Sequence, residues 1–361
     1  MQVELITARE LDSGVLSAWS RIRRDNAALH SPFFSPEFVL RCAAIHADVE
    51  IGIVLDAGKP AAFFPFHRVG RRTAQPLGKD LSDFHGLIAP ASLPWSAPEL
   101  LRGCKLDTWM FDHLLASQRQ FAPYTTAVAE SVYVDLQDGY AQYCRRKRES
   151  GSLLINRTGR AQRLIDRDTG KTHFQMLRDP SLVSHAMNWQ QVNLRRRGTL
   201  FLHSPAEREE MYRAVLQSAD PELNAWWAAL YAGERLLACH LFLCSHTTAH
   251  WWLAAFDPSH PQNSPGIIAM LRGIEALAEM GITRVDLGKS SNELKERFRN
   301  NAELVAEGAV EVRPLVRAVR HAWRRAERWL WDSPLKSAAK QALRRWRTRH
   351  APQVAEGSSS E

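Results

Sequence analysis

The sequence predicts an α/β protein built on a mixed β-sheet, and two patterns in its second half predict it. Three apolar runs, 224–231, 236–244 and 249–256, are separated by the short turns Ala232-Gly233-Glu234 and 245–248, the signature of antiparallel strands in series. Next comes 266–280, where Ile268, Leu271, Ile274, Leu277 and Ala278 recur at helical spacing, then Gly281 as a stop and a short strand at 283–287. This order lays the helix across a mixed sheet and sets its N-terminus beside the end of the third strand. With 361 residues, the chain has length for about two domains.

The first half mixes helix and strand. Ser35 caps a helix over 35–44, with Pro36 at its first position. Strands at 50–55 and 61–68 form a hairpin across Asp56-Ala57-Gly58-Lys59. A loop rich in Gly and Asp, 78–86, follows, and a basic helical segment over 140–150, with Arg145, Arg146, Lys147 and Arg148, bridges the two halves. No repeat recurs with a period of about 20 to 50 residues, which argues against solenoids and propellers.

The formal net charge of +8 is confined to one end of the chain. Segment 313–361 holds twelve Lys and Arg against four Asp and Glu, which leaves 35 residues of each sign before it. Within 313–350, arginines interleave with Leu315, Val319, Trp323, Trp329, Leu330, Leu335, Leu343 and Trp346 as a basic amphipathic helix broken at Pro334. Such a stripe packs on its own domain, or meets an anionic membrane surface, an acidic partner or RNA, and the spacing leaves these open. Residues 351–361, with Gly357 and three serines, are expected to be disordered. No run of about 18 uncharged apolar residues occurs. Glu4, Glu10 and Asp12 stand where a secretory signal would be basic and then apolar, so a cytoplasmic protein is expected. The five cysteines, Cys42, Cys104, Cys144, Cys239 and Cys244, match no paired metal-binding spacing; reduced structural thiols are expected, and neither zinc nor disulfides.

The start of the 266–280 helix is a candidate anion site. Four backbone N–H groups and the positive end of the helix dipole converge there, and Gly266 admits a ligand close to the backbone. Ser264-Pro265-Gly266 therefore either holds a phosphate or simply caps the helix. Trp226-Trp227 and Trp251-Trp252 alternate faces, so one ring of each pair belongs to the core and the other is open to a cleft, where packing is expected ahead of a sugar-stacking platform. Cys239 and His240 lie inside a strand and do not make a thiol nucleophile.

Several short motifs follow one another in order. Ser31-Pro32-Phe33-Phe34-Ser35-Pro36-Glu37 and Ser82-Asp83-Phe84-His85-Gly86 stand in the first half. An aromatic and basic stretch over 189–198, with Trp189, Gln190 and Arg195 to Arg197, precedes the strands. Phe256-Asp257-Pro258, Ser264-Pro265-Gly266, Gly281, Asp286-Leu287-Gly288 and Glu293-Leu294-Lys295 come after. In this order, over 140–309, the chain resembles the GNAT superfamily of acyl-CoA-dependent N-acyltransferases. More narrowly, it resembles the acetyltransferases of cellulose biosynthesis, the CelD/BcsL type, a branch related in fold to the FemAB peptidyltransferases; with the first-half motifs the likeness covers 31–309. Leu294 stands where the branch has an aromatic residue. The acetyl-CoA signature of the classical superfamily is absent from Pro261-Gln262-Asn263-Ser264-Pro265-Gly266, as is usual in this branch.

The resemblance implies tandem GNAT-like halves: an N-terminal half over 1–139, a C-terminal acyltransferase domain over 140–312, and the basic tail beyond. It implies direct attack of an amine, or of a sugar hydroxyl, on an acyl thioester held between splayed strands. A backbone N–H near the end of the 249–256 strand would polarise the carbonyl. Phe256, Ser264, Pro265 and Gly266 are expected to hold acetyl-CoA or another acyl-CoA, with no metal. Asp83 and His85 are the candidate bases, Lys295 a neutralising charge, and Trp189, Gln190 and Asp286 the acceptor contacts. The expected acceptor is a small molecule or saccharide, in polysaccharide or envelope biosynthesis. The tail would make peripheral contact with the inner membrane face or a synthase complex; nucleic acid is not expected as a partner. A Fem-like enzyme using aminoacyl-tRNA and a non-catalytic scaffold of a membrane-associated synthase are the competing readings.

Overall fold

The computed structural model describes residues 1–197, 205–259, 263–289 and 292–313. The first part of the chain contributes β1 (Gln2–Thr7), α1 (Ser13–Arg24), α2 (Pro36–Ile45), β2 (Val49–Asp56), β3 (Lys59–Gly70), β4 (Thr73–Pro76), α3 (Ala97–Gly103), β5 (Thr108–Leu115) and β6 (Thr125–Asp135). Next come α4 (Gly139–Glu149), α5 (Leu154–Asp168), β7 (Thr172–Leu177), α6 (Leu182–Arg197) and α7 (Pro205–Leu216). The chain continues through β8 (Asn224–Ala232), β9 (Arg235–Cys244), β10 (Thr248–Phe256), α8 (Pro265–Glu279), β11 (Arg284–Lys289), α9 (Glu293–Phe298) and β12 (Asn301–Glu311).

Among the described residues the strands form one mixed sheet in the order β1-β2-β3-β4-β5-β12-β6-β11-β10-β9-β8-β7. One arrangement occurs twice. Strands β1 to β4 pair antiparallel in series and β5 joins β4 in parallel. Strands β7 to β10 pair antiparallel in series and β11 joins β10 in parallel. The two halves then exchange their last strands: β12 lies beside β5, whereas β6 pairs with β11. The fold is thus α/β with two like halves fused through β6 and β12, which pair with each other from Asn301–Tyr133 to Gly308–Thr125.

Local chemistry accounts for these elements. Ser35 caps α2, its side chain accepting from the Phe38 N–H, and Pro36 occupies the first turn. The β2–β3 turn places Ala57 and Gly58 at φ of 48° and 76°, as a tight hairpin turn requires. Strand β3 buries Phe63, Phe64 and Phe66 completely because helices cover both faces of the sheet. Trp19 of α1 stacks on Phe63 at 4.4 Å, while Trp109 meets Phe64 from the other side at 4.9 Å. Strand β9 is divided in the same way: Cys239, Leu241 and Leu243 join a core that reaches Trp19 and Phe33, and Phe242 and Cys244 join the core under α8. That first core runs through both halves, so the halves bury apolar surface together.

The expected helices at 35–44, 140–150 and 266–280 and the expected strands of the second half are present within a few residues, with Gly281 at φ 90° after α8. All five cysteines are buried and unpaired. No helix among the described residues is long and apolar enough to cross a membrane. Met1–Val310 forms one compact unit. The amphipathic stripe of 313–350 and the segment 351–361 lie outside the described residues except for Arg313.

The strand exchange sets a strict demand at Gly308 of β12. A Cβ there would collide with the Tyr124 carbonyl oxygen and lie 2.7 Å from the Phe111 ring, so backbone must move to admit it. Gly308→Ala is expected to lower stability by about 1–3 kcal/mol, read as a lower urea midpoint at unchanged slope.

Candidate active site

Strands β10 and β11 pair over only three residues, Thr248 to His250 against Arg284 to Asp286. Beyond that point both strands leave the ladder. Trp252 is an extra residue in β10 relative to β9, and the register of β11 with β6 shifts between Asp286 and Lys289. Gly288 takes φ 84° at this second irregularity, a conformation that side chains resist. The strands therefore part, and a cavity of about 580 Å³ opens between them. Trp251, Trp252, Ala254 and Phe256 of β10 form one wall, and Leu287, Gly288 and Lys295 another.

The start of α8 closes one end of the cavity with Ser264, Pro265 and Gly266. Asn263 and Ser264 both adopt left-handed φ, 61° and 49°, which turns the chain sharply into the helix. The donor count here differs from the sequence expectation of four free N–H groups. Pro265 has no N–H, and the Ile267 N–H is bonded to the Ser264 carbonyl at 2.9 Å, leaving Gly266 as the first-turn donor. His240 of β9 fixes this corner: its Nε2 lies 2.7 Å from the Gly266 carbonyl and its Nδ1 accepts from Trp251 Nε1 at 3.1 Å. These partners make Nε2 the protonated nitrogen, and burial pulls the ring down to about 4, so it is neutral at physiological pH.

Asp286 is the hub beneath the opening. Its Oδ1 accepts from Ser131 Oγ at 2.9 Å and from the Gly288 N–H at 2.8 Å, and its Oδ2 accepts from Arg284 at 2.9 Å. The side chain is fully buried, so this aspartate holds the two irregular strands and does not reach the cavity. Arg284 also pairs with Glu303 at 2.7 Å and lies over the Tyr133 ring. Buried His250 stands 3.9 Å from Asp286 through Nδ1 and 2.9 Å from Ser31 Oγ through Nε2, with the rings of Phe33 and Phe84 edge-on against it. Both first-half motifs thus pack on the residue at which β10 leaves β11.

The first half carries its own parting of strands and fills it. Strands β4 and β5 pair only at Thr73–Thr108 and Ala74–Trp109. Further along β5, the 82–88 loop lies against it, the His85 N–H donating to the His113 carbonyl and the Leu115 N–H to the His85 carbonyl. Gln118 clamps the loop through the Leu87 N–H and C=O at 2.9 and 2.8 Å. This plug carries Asp83 into the cavity of the second half, where it faces His113 of β5 at 3.7 Å.

Asp83 keeps 28% of its side chain open to the cavity. Burial raises its pKa above the ordinary carboxylate value, with His113 and Lys295 pulling the other way and Asp286 adding to the rise. Lys295 donates to the carbonyls of Gly288 at 3.1 Å and Lys289 at 2.9 Å. Burial lowers its pKa, against the attraction of Asp83 and Asp286. A Cβ placed on Gly288 would lie 3.5 Å from both Asp83 Oδ2 and Lys295 Nζ, so the carboxylate and the ammonium flank this glycine together.

The structure gathers Asp83, Gln190, Phe256, Ser264, Pro265, Gly266 and Lys295 around one cavity. His85, Trp189 and Asp286 are not among its lining residues. His85 lies behind His113, its Nδ1 accepting from the His113 N–H at 3.3 Å and its Nε2 3.1 Å from the Ser82 carbonyl, and burial lowers it to about 3. Trp189 packs edge-on against His185 at 4.3 Å. The side chains of Arg195, Arg196 and Arg197 lie outside the described residues. His113 and His240 line the cavity without having been singled out for it from sequence. The alternating pattern Asp112-His113 in β5 was the available signal, but it becomes legible only when the 82–88 loop is placed on that strand.

A mixed sheet parting at its central parallel pair, with a helix starting in the gap, defines a GNAT-type acyltransferase fold. Residues 154–299 match the family model described as acetyltransferase (GNAT) domain. Among solved structures the chain is similar to FemX, with 11% identity and a TM-score of 0.55, covering 88% of this chain and 100% of that chain. It is also similar to the C-terminal domain (DUF2156) of a putative lysylphosphatidylglycerol synthetase from Agrobacterium fabrum, with 15% identity, a TM-score of 0.50, and coverage of 85% and 94%. A conserved protein of unknown function from Bacteroides thetaiotaomicron matches with 9% identity, a TM-score of 0.51, and coverage of 81% and 97%. At these identities the likeness is one of fold. Comparison with the curated proteins finds none that matches.

Removing the Asp286 carboxylate leaves the Gly288 N–H, Ser131 and one side of Arg284 without their acceptor in a dry interior. Asp286→Ala is expected to destabilise the protein by about 3 kcal/mol, measured by chemical denaturation. Ser131→Ala, which removes one donor and no charge, is expected to cost about 1 kcal/mol.

Proposed function

We propose that the chain is an acyl-CoA-dependent N-acyltransferase, an acetyltransferase in its simplest form, acting on an amino group of a sugar or saccharide precursor. The observation that carries this reading is the parting of β10 from β11 after His250, with Gly266 at the mouth of the gap. Strand β10 beyond His250 has lost its parallel partner, so its edge N–H groups are available to a carbonyl oxygen. In this reading the thioester lies along that edge and the Gly266 N–H, with the α8 dipole behind it, meets the pyrophosphate. The resemblance to the CelD/BcsL branch supports the saccharide acceptor, a place in polysaccharide biosynthesis, and attachment through 313–350 to a membrane face or synthase.

The amine nitrogen attacks the thioester carbon, a C–N bond forms, and the C–S bond breaks as the tetrahedral centre collapses. No covalent enzyme intermediate is required. Asp83 accepts the amine proton, because it is the carboxylate open to the cavity, and Lys295 balances negative charge beside it. Gln190, which lines the cavity from α6, orients the acceptor in this reading. His85 is assigned a positioning role, holding the loop that presents Asp83.

Two measurements follow. A Cβ on Gly266 would make only ordinary contacts, 3.7 Å to His240 Nε2 and 3.9 Å to Phe256 Cβ, so a side chain here projects without a clash at its root. Gly266→Glu is expected to keep the wild-type melting temperature and to lose acetyl-CoA binding in calorimetry. Unchanged acyl-CoA affinity, or saturable binding of charged tRNA with none of acyl-CoA, would overturn the donor assignment in favour of the Fem-like reading. For the base, the raised pKa of Asp83 means that its active, ionised form is gained on raising the pH through a value above the ordinary carboxylate range. kcat/KM should therefore climb with pH through that region, and Asp83→Asn should remove the climb and lower kcat by about 10²–10⁴-fold.

A further inference from the structure

We propose that His85, Asp112 and His113 form a three-ligand site for a divalent transition-metal ion of the zinc type, beside the cavity that His113 lines. The Asp112 Oδ1 lies 3.4 Å from His85 Nδ1 and 3.3 Å from His113 Nδ1, and the three atoms all fall within 4.8 Å of one another. A tetrahedral ion bound at about 2.0–2.1 Å holds neighbouring ligand atoms roughly 3.3 Å apart, which the two carboxylate–imidazole distances match. Two imidazoles and one carboxylate are a donor set for this class of ion.

The His85 ring has the outer hydrogen bond that a metal-bound histidine needs to set its tautomer and angle, and His113 has a carboxylate nearby. His85 turns Nε2 to the Ser82 carbonyl at 3.1 Å, which leaves Nδ1 as the lone-pair nitrogen. His113 turns Nε2 toward Asp83 Oδ1 at 3.7 Å, which leaves its Nδ1 facing the cluster. That Nδ1 atom is buried and meets only the Asp112 carboxylate, 3.3 Å away and outside hydrogen-bond geometry. An unsatisfied buried nitrogen is costly, and an ion would satisfy it. The long 3.3 Å contact from the His113 N–H to His85 Nδ1 is the hydrogen bond that the ion would displace. The Asp112 side chain is 58% exposed, so the ion has a path of entry and a fourth position for water.

The sequence expectation of no zinc rested on cysteine spacing and excludes only a thiolate site. The acyl-donor assignment does not depend on this ion; bound, it would hold His113 in the tautomer whose Nε2–H faces Asp83, making His113 a positioning residue for that carboxylate.

The test uses untagged full-length protein, stripped with a chelator and titrated with zinc by calorimetry, with elemental analysis of the product. Wild-type protein is expected to bind one zinc per chain. Asp112→Ala, at an exposed position, is expected to fold normally by circular dichroism and to weaken binding more than tenfold, with His113→Gln behaving alike. Asp83→Asn, one shell further out, is expected to weaken it by about tenfold. Cobalt(II) in place of zinc should give absorption bands that disappear in Asp112→Ala. No saturable zinc binding by the wild type, or equal affinity in wild type and Asp112→Ala, would overturn the proposal.

Discussion

Everything in the cavity depends on a ladder that stops after three rungs. A parallel pair in the middle of a covered sheet normally continues until both strands end, because buried backbone groups need partners. Here β10 and β11 separate after His250 and Asp286. The buried carboxylate of Asp286 makes the separation sustainable: it takes the Gly288 N–H that the ladder no longer uses, and it is held in turn by Ser131 and Arg284. On the other strand, Trp252 takes up the extra residue and anchors it in the first half, its Nε1 donating to the Leu81 carbonyl at 2.7 Å. The gap is a built feature with its own supports on each side.

The duplicated architecture explains why, among the described residues, the parting of the parallel pair is open in the second half and filled in the first. Both halves carry four antiparallel strands and a parallel fifth, and in both the parallel contact is brief. In the first half the 82–88 loop occupies the space beside β5, and its side chains are turned to the service of the second half. The plug presents Asp83, packs Phe84 on His250, and buries His85 behind His113. A shared apolar core and the exchange of β6 and β12 keep the two halves in register for this. The first half is thus the support of the site and the source of its acidic group.

Much of the second half was legible in the sequence because its signals are local. The apolar runs of β8 to β10, the periodicity of α8 and the stop at Gly281 lie within a few turns of one another and report on packing directly. The pairing of β6 with β11 and β12 was not legible, since partners such as Tyr133 and Asp286 come from distant parts of the chain and no local pattern marks them. Site residues divide in the same way. Gly266, Phe256 and Lys295 sit on the locally readable elements and line the cavity. His85 was attractive as a histidine in a motif, yet burial and two backbone contacts make it a fixture of the loop, and the neighbour that reaches the cavity, His113, lies in a strand with no motif around it. At the helix start, Pro265 withholds one of the N–H groups that a generic helix would offer, leaving a sparser anion site than dipole reasoning alone implies.

In the proposed reaction the free edge of β10 receives the acyl donor. Hydrogen–deuterium exchange of the full chain with and without acetyl-CoA tests it most directly, because it reads backbone N–H groups one segment at a time. Protection on ligand addition is expected to concentrate in the second part of β10, from Leu253 to Phe256, and at Gly266, with β8 and β1 unchanged. Protection confined to other surfaces, with those amides exchanging as in the free protein, would contradict it.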